Sequence, residues 1–161
     1  MDRSELTIHD EEIELRDPVL VAAFRGWNDA GEAASLAAQH LTAKWSGKKL
    51  ASIEPEEYYD FQAVRPYVRL EDGVTRRISW PSNEFWAARP ANASHDVIML
   101  VGTEPNLRWK RFSRLIVELA RAYDVSLVIT LGALLADVPH SRPVQITGTA
   151  MNQNLIQRLR L

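Results

Sequence analysis

Three segments of the chain place acidic, basic, amide or imidazole side chains beside glycine, a combination from which ligand sites are often built. They span residues 25–31, 102–106 and 132–141, and each follows a short apolar run typical of a buried strand. In open α/β sheets, ligands bind outside the carboxyl ends of the strands. We therefore expect the three segments to lie together at one end of a sheet.

The first segment is close to a phosphate-binding loop. Gly26 and Gly31 have the required spacing, but Glu32 and Ala33 occupy the positions that need lysine and serine or threonine. Asp29 and Glu32 instead have the spacing of a helix capping box, which satisfies the amides that an anion would use. The sequence therefore disfavours a nucleoside triphosphate site and favours turn and cap roles. The side chains that remain candidates for binding another ligand are Arg25, Asn28 and Asp29.

The second segment contains one carboxylate, Glu104, directly before Pro105. Proline suits the first position of a helix, where its missing N–H costs nothing, so this segment is predicted to lead straight into a helix. Glu104 then has two interpretations. It is a turn or capping residue, or it binds a ligand as a general base or as an acceptor for a sugar hydroxyl.

The third segment brings Asp137, His140 and Ser141 within five residues of one another. Hydrolytic triads draw their members from distant positions of the chain so that the groups can converge. Local hydrogen bonding in a loop that also holds Pro139 and Pro143 explains the cluster equally well. We retain His140 as a ligand-binding candidate and assign it no catalytic role.

No pattern in the sequence predicts a metal or cofactor site. The absence of cysteine excludes a disulfide framework and thiolate metal sites. His9, His40 and His95 are isolated and lack the spacing of metal ligands, and common hydrolase, zinc-protease and dinucleotide-binding motifs do not occur. We therefore expect no metal, no cofactor and no catalytic residues, which favours a protein without enzymatic activity.

The elements that would position the three segments alternate between strands and helices. One predicted helix has an alanine-rich face, which suggests close packing on a sheet, and a later one has an apolar face opposite its arginines. Residues 66–70 and 74–80 predict a hairpin. Further strands are predicted over 18–24, 48–53, 96–101, 126–131 and 144–147; the two helical faces are Ala30, Ala33, Ala34, Ala37, Ala38, Leu41 and Trp45, and Phe112, Leu115, Ile116, Leu119, Ala120 and Tyr123.

This order predicts an α/β fold with a mainly parallel sheet, an antiparallel hairpin insertion and flanking helices. We divide the chain into an acidic N-terminal segment, residues 1–17, and a single α/β domain, residues 18–161. A final amphipathic helix begins at residue 152 and stops after about three turns. We therefore expect the polypeptide to be part of a longer one.

The charged residues are distributed unevenly along the chain. Residues 1–17 contain seven acids and two arginines, a net charge of −5, whereas residues 106–123 contain five basic residues and one acid, a net charge of +4. The two charged segments form solvated surfaces, or, alternatively, the basic segment forms a surface that docks an acidic partner. The overall charge of −2 and the lack of a recognisable binding module argue against nucleic acid. With no long apolar segment, we expect a soluble, cytoplasmic protein that does not bind membranes.

A proline-bounded aromatic stretch over residues 80–90 has neither helical nor strand periodicity. Aromatic side chains are over-represented at interface hot spots, so this stretch is a candidate surface for a partner or a second copy. Alternatively, the rings cover a sheet edge or form a satellite core. The interface candidates are Trp80, Phe85 and Trp86.

The same three segments resemble a known family. The motifs are Arg-Gly-Trp-Asn-Asp-Ala-Gly at residues 25–31; Gly-Thr-Glu-Pro at 102–105 with Trp109 and Phe112; and Leu-Gly-Ala-Leu-Leu-Ala-Asp-Val-Pro-His at 131–140 followed by Arg142 and Pro143. They look like those of the proteasome assembly chaperone two family, in its bacterial branch, from about residue 18 to the end. Members of that family normally continue further, with more sheet and a helical C-terminal portion.

The resemblance implies a phosphorylase/hydrolase-like fold, related in architecture to nucleoside phosphorylases. It also implies ATP-independent chaperone action on proteasome subunits, with no agreed catalytic residues. Two functional hypotheses follow. The first is a protein-binding module that forms homo-oligomers and engages proteasome subunits or another protein. The alternative is a nucleoside phosphorylase-like or hydrolase-like enzyme that uses a cleft near Arg25, Asn28, Glu104 and His140.

Overall fold

The computed structural model describes residues 5–10, 12–150 and 152–159, so the other residues of the predicted terminal segments lie outside the description. Three helices and eight strands form within these residues, and a single 3-10 turn (Ala30–Glu32) precedes the first helix. The helices are α1 (Ala33–Lys44), α2 (Trp109–Ala122) and α3 (Gln153–Leu159). The strands are β1 (Leu6–Ile8), β2 (Val19–Arg25), β3 (Lys48–Ile53), β4 (Tyr67–Glu71), β5 (Thr75–Ser79), β6 (Asn83–Ala88), β7 (Val97–Thr103) and β8 (Leu127–Leu131).

Six of the strands form one mixed sheet in the order β1-β3-β6-β7-β2-β8. β7, β2 and β8 are parallel, with Arg25 opposite Thr103 and Ala23 opposite Leu131. β1, β3 and β6 complete the sheet through antiparallel pairings. The α/β class and the parallel strands are thus confirmed, while one half of the sheet is antiparallel. The predicted hairpin is also confirmed, as a separate sheet of β4 and β5.

The sheet has one helix on each face, and the strand period explains why. Side chains along a strand alternate between faces, so Leu20 and Ala22 of β2 join the core beneath α2, while Ala23 joins the core beneath α1. The predicted apolar face of α2 is confirmed, because all six of its side chains belong to or pack against the first core. Phe112 of α2 makes edge-to-face contacts with two rings, those of Phe24 and Tyr58.

The alanine-rich face of α1 is narrower than predicted. Ala34 and Ala38 are buried in the core that contains Met99, whereas Ala33 and Ala37 are exposed. Leu41 and Trp45 also pack against that core, and with Ala34 and Ala38 they form the i, i+4, i+7, i+11 stripe of one helix face. The prediction of close helix-to-sheet packing therefore holds for these four residues and is wrong for Ala33 and Ala37.

Residues 80–90 contain a strand that periodicity did not predict. β6 pairs with β3 on one edge and β7 on the other, and its side chains are buried or half-buried on both faces of the sheet, so no clear polar-apolar alternation marks it in the sequence. The opposite error occurs at residues 144–147, which were predicted to form a strand. In the structure they have no strand partner among the described residues, and Val144 and Ile146 are at least 90% exposed.

One further correction concerns the start of α2. The helix begins at Trp109, after Arg108 in a left-handed conformation, and not at Pro105. Described residues of the acidic segment contact the sheet and core, since β1 pairs with β3, and Ile13 and Leu15 pack against the core. Among the described residues, no helix combines the length and apolar character needed to cross a bilayer.

Candidate functional site

The three sequence motifs meet at one end of the sheet, as predicted, and the backbone connects them. The loop after β2 bonds to the loop after β8: the Ala133 amide donates to the Asn28 carbonyl at 3.0 Å, and the Ala30 amide donates to the Ala133 carbonyl at 3.0 Å. The Glu104 amide, just after β7, donates to the Arg25 carbonyl at 2.8 Å. The loops are therefore one hydrogen-bonded unit; we call it the motif end.

Two glycines of the motif end make room for polar side chains. Gly26 has a φ of +150°, and a Cβ there would overlap the Glu104 carboxylate. That carboxylate accepts a hydrogen bond from the Trp27 amide at 3.0 Å. A Cβ on Gly132 would likewise overlap the side-chain amide of Asn28. Of these two ligand-binding candidates, Glu104 is thus bound to the backbone of the loop after β2, and Asn28 is an exposed residue that lies beside Gly132.

Asp29 caps α1, although not at the predicted spacing. Its carboxylate is buried and accepts hydrogen bonds from the amides of Ala34 and Ser35, at 2.8 and 3.1 Å, and from the Ser35 hydroxyl at 2.5 Å. The capping role is confirmed, but the helix starts three residues later than a capping box requires, after Glu32 in a left-handed conformation. Glu32 lies mostly exposed, 3.9 Å from Arg25 Nε.

A buried polar cluster, absent from the sequence predictions, supports the motif end from below. The Tyr59 hydroxyl donates to the Thr103 carbonyl at 2.6 Å and accepts from the Asn83 side-chain amide. The amide oxygen of Asn83 accepts from the Thr103 N–H at 3.1 Å, and a Cβ on Gly102 would overlap that oxygen. Burial raises the pKa of Tyr59 to about 12. The only sequence signal was a pair of polar residues, Asn83 and Glu84, before the apolar run of residues 85–88.

A second cluster attaches the N-terminal segment to α2. The Glu5 carboxylate accepts from the Tyr58 hydroxyl at 2.9 Å and from Arg111 Nε at 2.6 Å. Burial, followed by the hydrogen bond to Glu5, raises the pKa of Tyr58 to about 12, and the same carboxylate raises the pKa of Arg111. The basic face of the sequence is therefore partly neutralised by the acidic segment of the same chain.

The remaining polar candidate, His140, is exposed in a loop without regular structure. No hydrogen bond or ion pair within residues 5–10, 12–150 and 152–159 connects it to Arg25, Asn28 or Glu104. The same described part of the chain contains no group of three or more His, Cys, Asp or Glu side chains able to hold a metal ion. A cleft shared by His140 and the other three candidates therefore stays a prediction.

Large apolar side chains project from the motif end into solvent. Trp27, in the loop after β2, is 84% exposed, and Leu135, after β8, is 91% exposed. Leu107 and Trp109, after β7, and Leu134, after β8, are each at least half exposed. We call these five side chains the apolar rim. Each of the three motifs therefore contributes at least one exposed large apolar residue at the same end of the sheet.

The aromatic stretch 80–90 divides between core and surface. Phe85 is fully buried in β6, so it has no surface to offer a partner, and the interface interpretation is withdrawn for it. Trp86 is partly buried and packs against the core beneath α1. Trp80 is half exposed, and its ring meets that of Phe61 edge-to-face at 4.9 Å. The side chains of Trp80, Trp86 and Arg25 line a cavity of about 590 Å³ beside α1.

The comparisons with known proteins agree with these motifs. The sequence pattern of the PAC2 family matches residues 23–161. The chain belongs to the PAC2 family. The resemblance expected from the three motifs is thereby confirmed. No curated protein is a significant match.

Solved structures of similar proteins share the fold. A PAC2 family protein from Streptomyces avermitilis is 42% identical, with a TM-score of 0.82 over 90% of this chain and 62% of its own. A Mycobacterium tuberculosis proteasome-assembly chaperone homologue is 43% identical, with a TM-score of 0.80. The match covers 89% of this chain and 61% of that protein. A second M. tuberculosis protein, of unknown function, is 31% identical, with a TM-score of 0.86. The match covers 98% of this chain and 56% of that protein. The chain therefore spans less than two thirds of each relative.

Proposed function

We propose that this PAC2 protein is a protein-binding module that acts as an ATP-independent proteasome assembly chaperone. The observation that carries the proposal is the family membership, together with 43% identity to a proteasome-assembly chaperone homologue. The partners are proteins, and proteasome subunits are the first to test. Homo-oligomer formation, a cytoplasmic location and the architectural relation to nucleoside phosphorylases remain predictions of the same kind.

The apolar rim is the proposed contact surface. Contiguous exposed apolar surface on a soluble protein marks interaction sites, and tryptophan is enriched among the residues that dominate binding energy. Trp27 lies at the centre of the motif end, because β2 runs between β7 and β8. Its amide is held by Glu104, so the backbone that carries this ring is already ordered before a partner binds.

The charge around the rim favours an acidic partner surface. Lys110 and Arg114 of α2 are exposed close to Trp109, whereas Arg108 and Arg111 are paired with acids of this chain, Glu57 and Glu5. Positive charge at the edge of an apolar contact raises the association rate with an acidic partner and makes it sensitive to salt. The salt dependence of the association rate therefore tests the proposal separately from the affinity.

The polar groups of the motif end support binding rather than catalysis. Asp29, Glu104 and Asn83 already accept hydrogen bonds from backbone amides, which are the interactions expected of scaffold side chains. A catalytic site needs polar groups that converge on an open space where the substrate can sit. No observation favours the phosphorylase-like alternative.

Replacement of Trp27 by alanine tests the proposal. We expect Trp27→Ala to weaken binding to isolated proteasome subunits at least about tenfold, since a central tryptophan typically contributes more than 1–2 kcal/mol. Val74→Ala, at the β4–β5 turn, is the matched control because Val74 is 83% exposed but lies outside the rim. Biolayer interferometry at two salt concentrations measures both variants. Equal binding by the two variants, or no binding by the unmodified protein, contradicts the proposal.

A further inference from the structure

The cavity beside α1 has the size of a small-molecule site and lies apart from the apolar rim. The cavity measures about 590 Å³, within the roughly 300–1,000 Å³ typical of ligand pockets. The C-terminal half of α1 forms one wall and the β4–β5 hairpin another. The floor is the face of β6, β7 and β2 near their motif-end termini, where Glu84, Val101 and Arg25 lie. None of the rim side chains lines it.

Aromatic rings form the apolar part of the lining. Tyr67 and Trp80 are each about half exposed, and Trp86 forms part of the floor. The edge-to-face contact with Phe61 fixes the Trp80 ring from outside the cavity. Rings held in this way offer flat surfaces on which a planar ligand can stack without first ordering the side chains.

The charged part of the lining is positive. Arg25 and Arg69 line the cavity, and its one carboxylate, Glu84, is neutralised by Lys49 Nζ at 2.7 Å. Arg25 Nε is buried and donates to no acceptor in the part of the chain that the structure describes, since the Glu32 carboxylate is 3.9 Å away. Arg25 thus has only this long ion pair to Glu32, and the described residues form no ion pair with the exposed Arg69. The positive charge of the two guanidinium groups is therefore only weakly compensated within the described chain.

We propose that this cavity binds a small organic anion that carries an aromatic ring, such as an aryl phosphate or an aryl carboxylate. The anionic group pairs with the guanidinium groups of Arg25 and Arg69, which match carboxylate and phosphate oxygens in planar, bidentate geometry. The ring of the ligand stacks on Trp80 or Tyr67. Hydroxyl groups from Thr42, Ser46, Ser79 and Ser82 around the cavity supply further hydrogen bonds.

The hairpin provides a matched pair of test variants. Side chains of a strand alternate between its faces. Arg69 lies on the face with Tyr67 and directly opposite Arg77, whereas Arg76, opposite Leu70, lies on the other face. Arg69 and Arg76 are both exposed arginines of the same two-stranded sheet, and only Arg69 lines the cavity. Their replacement by glutamine changes the net charge equally.

The first measurement is isothermal titration calorimetry of the intact chain with phenyl phosphate and with benzoate. Phenol and inorganic phosphate, each half of a ligand, are the reference probes. We expect phenyl phosphate or benzoate to bind at least tenfold more tightly than either half, with quenching of tryptophan fluorescence. The anion that binds more tightly shows whether the cavity prefers a phosphate or a carboxylate group. Binding of phenol as tight as that of both anions, or no measurable binding of either anion, overturns the proposal.

The second measurement places the ligand. We expect Arg69→Gln to weaken binding of the better anion at least tenfold and Arg76→Gln to leave it within twofold, with circular dichroism showing both variants folded. Arg25→Gln is a second cavity variant if Arg69→Gln does not fold. Equal effects of Arg69→Gln and Arg76→Gln overturn the proposal. Trp27→Ala should retain anion binding, and Arg69→Gln should retain partner binding, so failure of one proposal is distinguishable from failure of the other.

Discussion

The motif end and the β4–β5 hairpin use their residues in opposite ways. At the motif end, a Cβ on Gly26, Gly102 or Gly132 would overlap a polar side chain, and each of these contacts belongs to the scaffold. In the hairpin, Gly73 has a φ of +72° with nothing within 4 Å of its would-be Cβ. Every residue of β4 is exposed. One region is closely packed and hydrogen-bonded, and the other meets mainly solvent.

This difference shows that residue type alone does not identify a site. The acid and amide groups that suggested chemistry, Glu104, Asp29 and Asn28, all lie at the motif end, where backbone and glycine contacts hold them. By contrast, Arg25 and Arg69, whose charges are only weakly compensated, line the cavity between α1 and the β4–β5 hairpin. Polar groups that are already satisfied stabilise a fold, and those without partners are available to bind.

Glycine substitutions test the comparison with the largest expected effect. Gly102→Ala should lower the free energy of unfolding by at least about 3 kcal/mol, because the new methyl group must displace the buried Asn83 amide. Gly73→Ala is the control. It should cost only about 1 kcal/mol, since the added methyl meets no atom and the penalty is that of the left-handed backbone. Urea unfolding followed by circular dichroism measures both.

If the two glycine variants lose similar stability, the tight packing assigned to the motif end is wrong. If Gly102→Ala costs stability in the unmodified protein but little in an Asn83→Ala background, the assignment becomes sharper. That double variant tests whether the clash is with this one side chain.

The raised pKa of Tyr59 predicts a loss of stability at alkaline pH. An unfolded tyrosine ionises near pH 10, whereas buried Tyr59 keeps its proton until about pH 12. Below pH 10 both states are neutral. As pH rises from 10 to 12, the unfolded state loses its proton first, so the free energy of unfolding falls, by roughly 2 kcal/mol from this group.

Tyr59→Phe isolates this contribution, because Tyr58, with a pKa also near 12, titrates in both proteins. The variant should be less stable at pH 8, having lost the hydrogen bond to the Thr103 carbonyl. Its further loss between pH 10 and 12 should be smaller than that of the unmodified protein. Parallel stability curves above pH 10 would mean that Tyr59 is accessible to solvent and that the motif end is looser than described.

Asp29→Ala should have the smallest effect of the three, a loss of roughly 1–2 kcal/mol in the free energy of unfolding. The substitution removes the acceptor for the first amides of α1 and for the Ser35 hydroxyl. Glu32→Ala is the matched control, because its exposed carboxylate makes no capping bond. Thermal unfolding measures both. Unchanged stability in Asp29→Ala together with altered binding of a partner or an anion would reassign Asp29 from scaffold to site.

The sequence by itself determined the features that depend on local pattern. The apolar face of α2, the strands at 48–53 and 127–131 and the β4–β5 turn follow from periodicity and turn residues, which act over a few positions of the chain. The meeting of the three motifs also follows, because successive parallel strands bring their carboxyl ends to one edge of a sheet. The motifs were sufficient to identify the PAC2 family.

Tertiary structure alone decided which predicted segments pair as strands and which polar groups have hydrogen-bond partners. β6 became an interior strand because β3 and β7 pair with its two edges, and Phe85 became a core residue because the core that includes side chains of α2 buries it. Residues 144–147 have a sequence typical of a strand, but no neighbouring strand pairs with them in the described structure. Their β-propensity therefore does not produce a strand. The Tyr59–Asn83–Gly102 contacts join segments more than 15 residues apart. Only the folded chain shows which polar groups have hydrogen-bond partners and which, like Arg25 Nε, have no hydrogen-bond acceptor among the described residues.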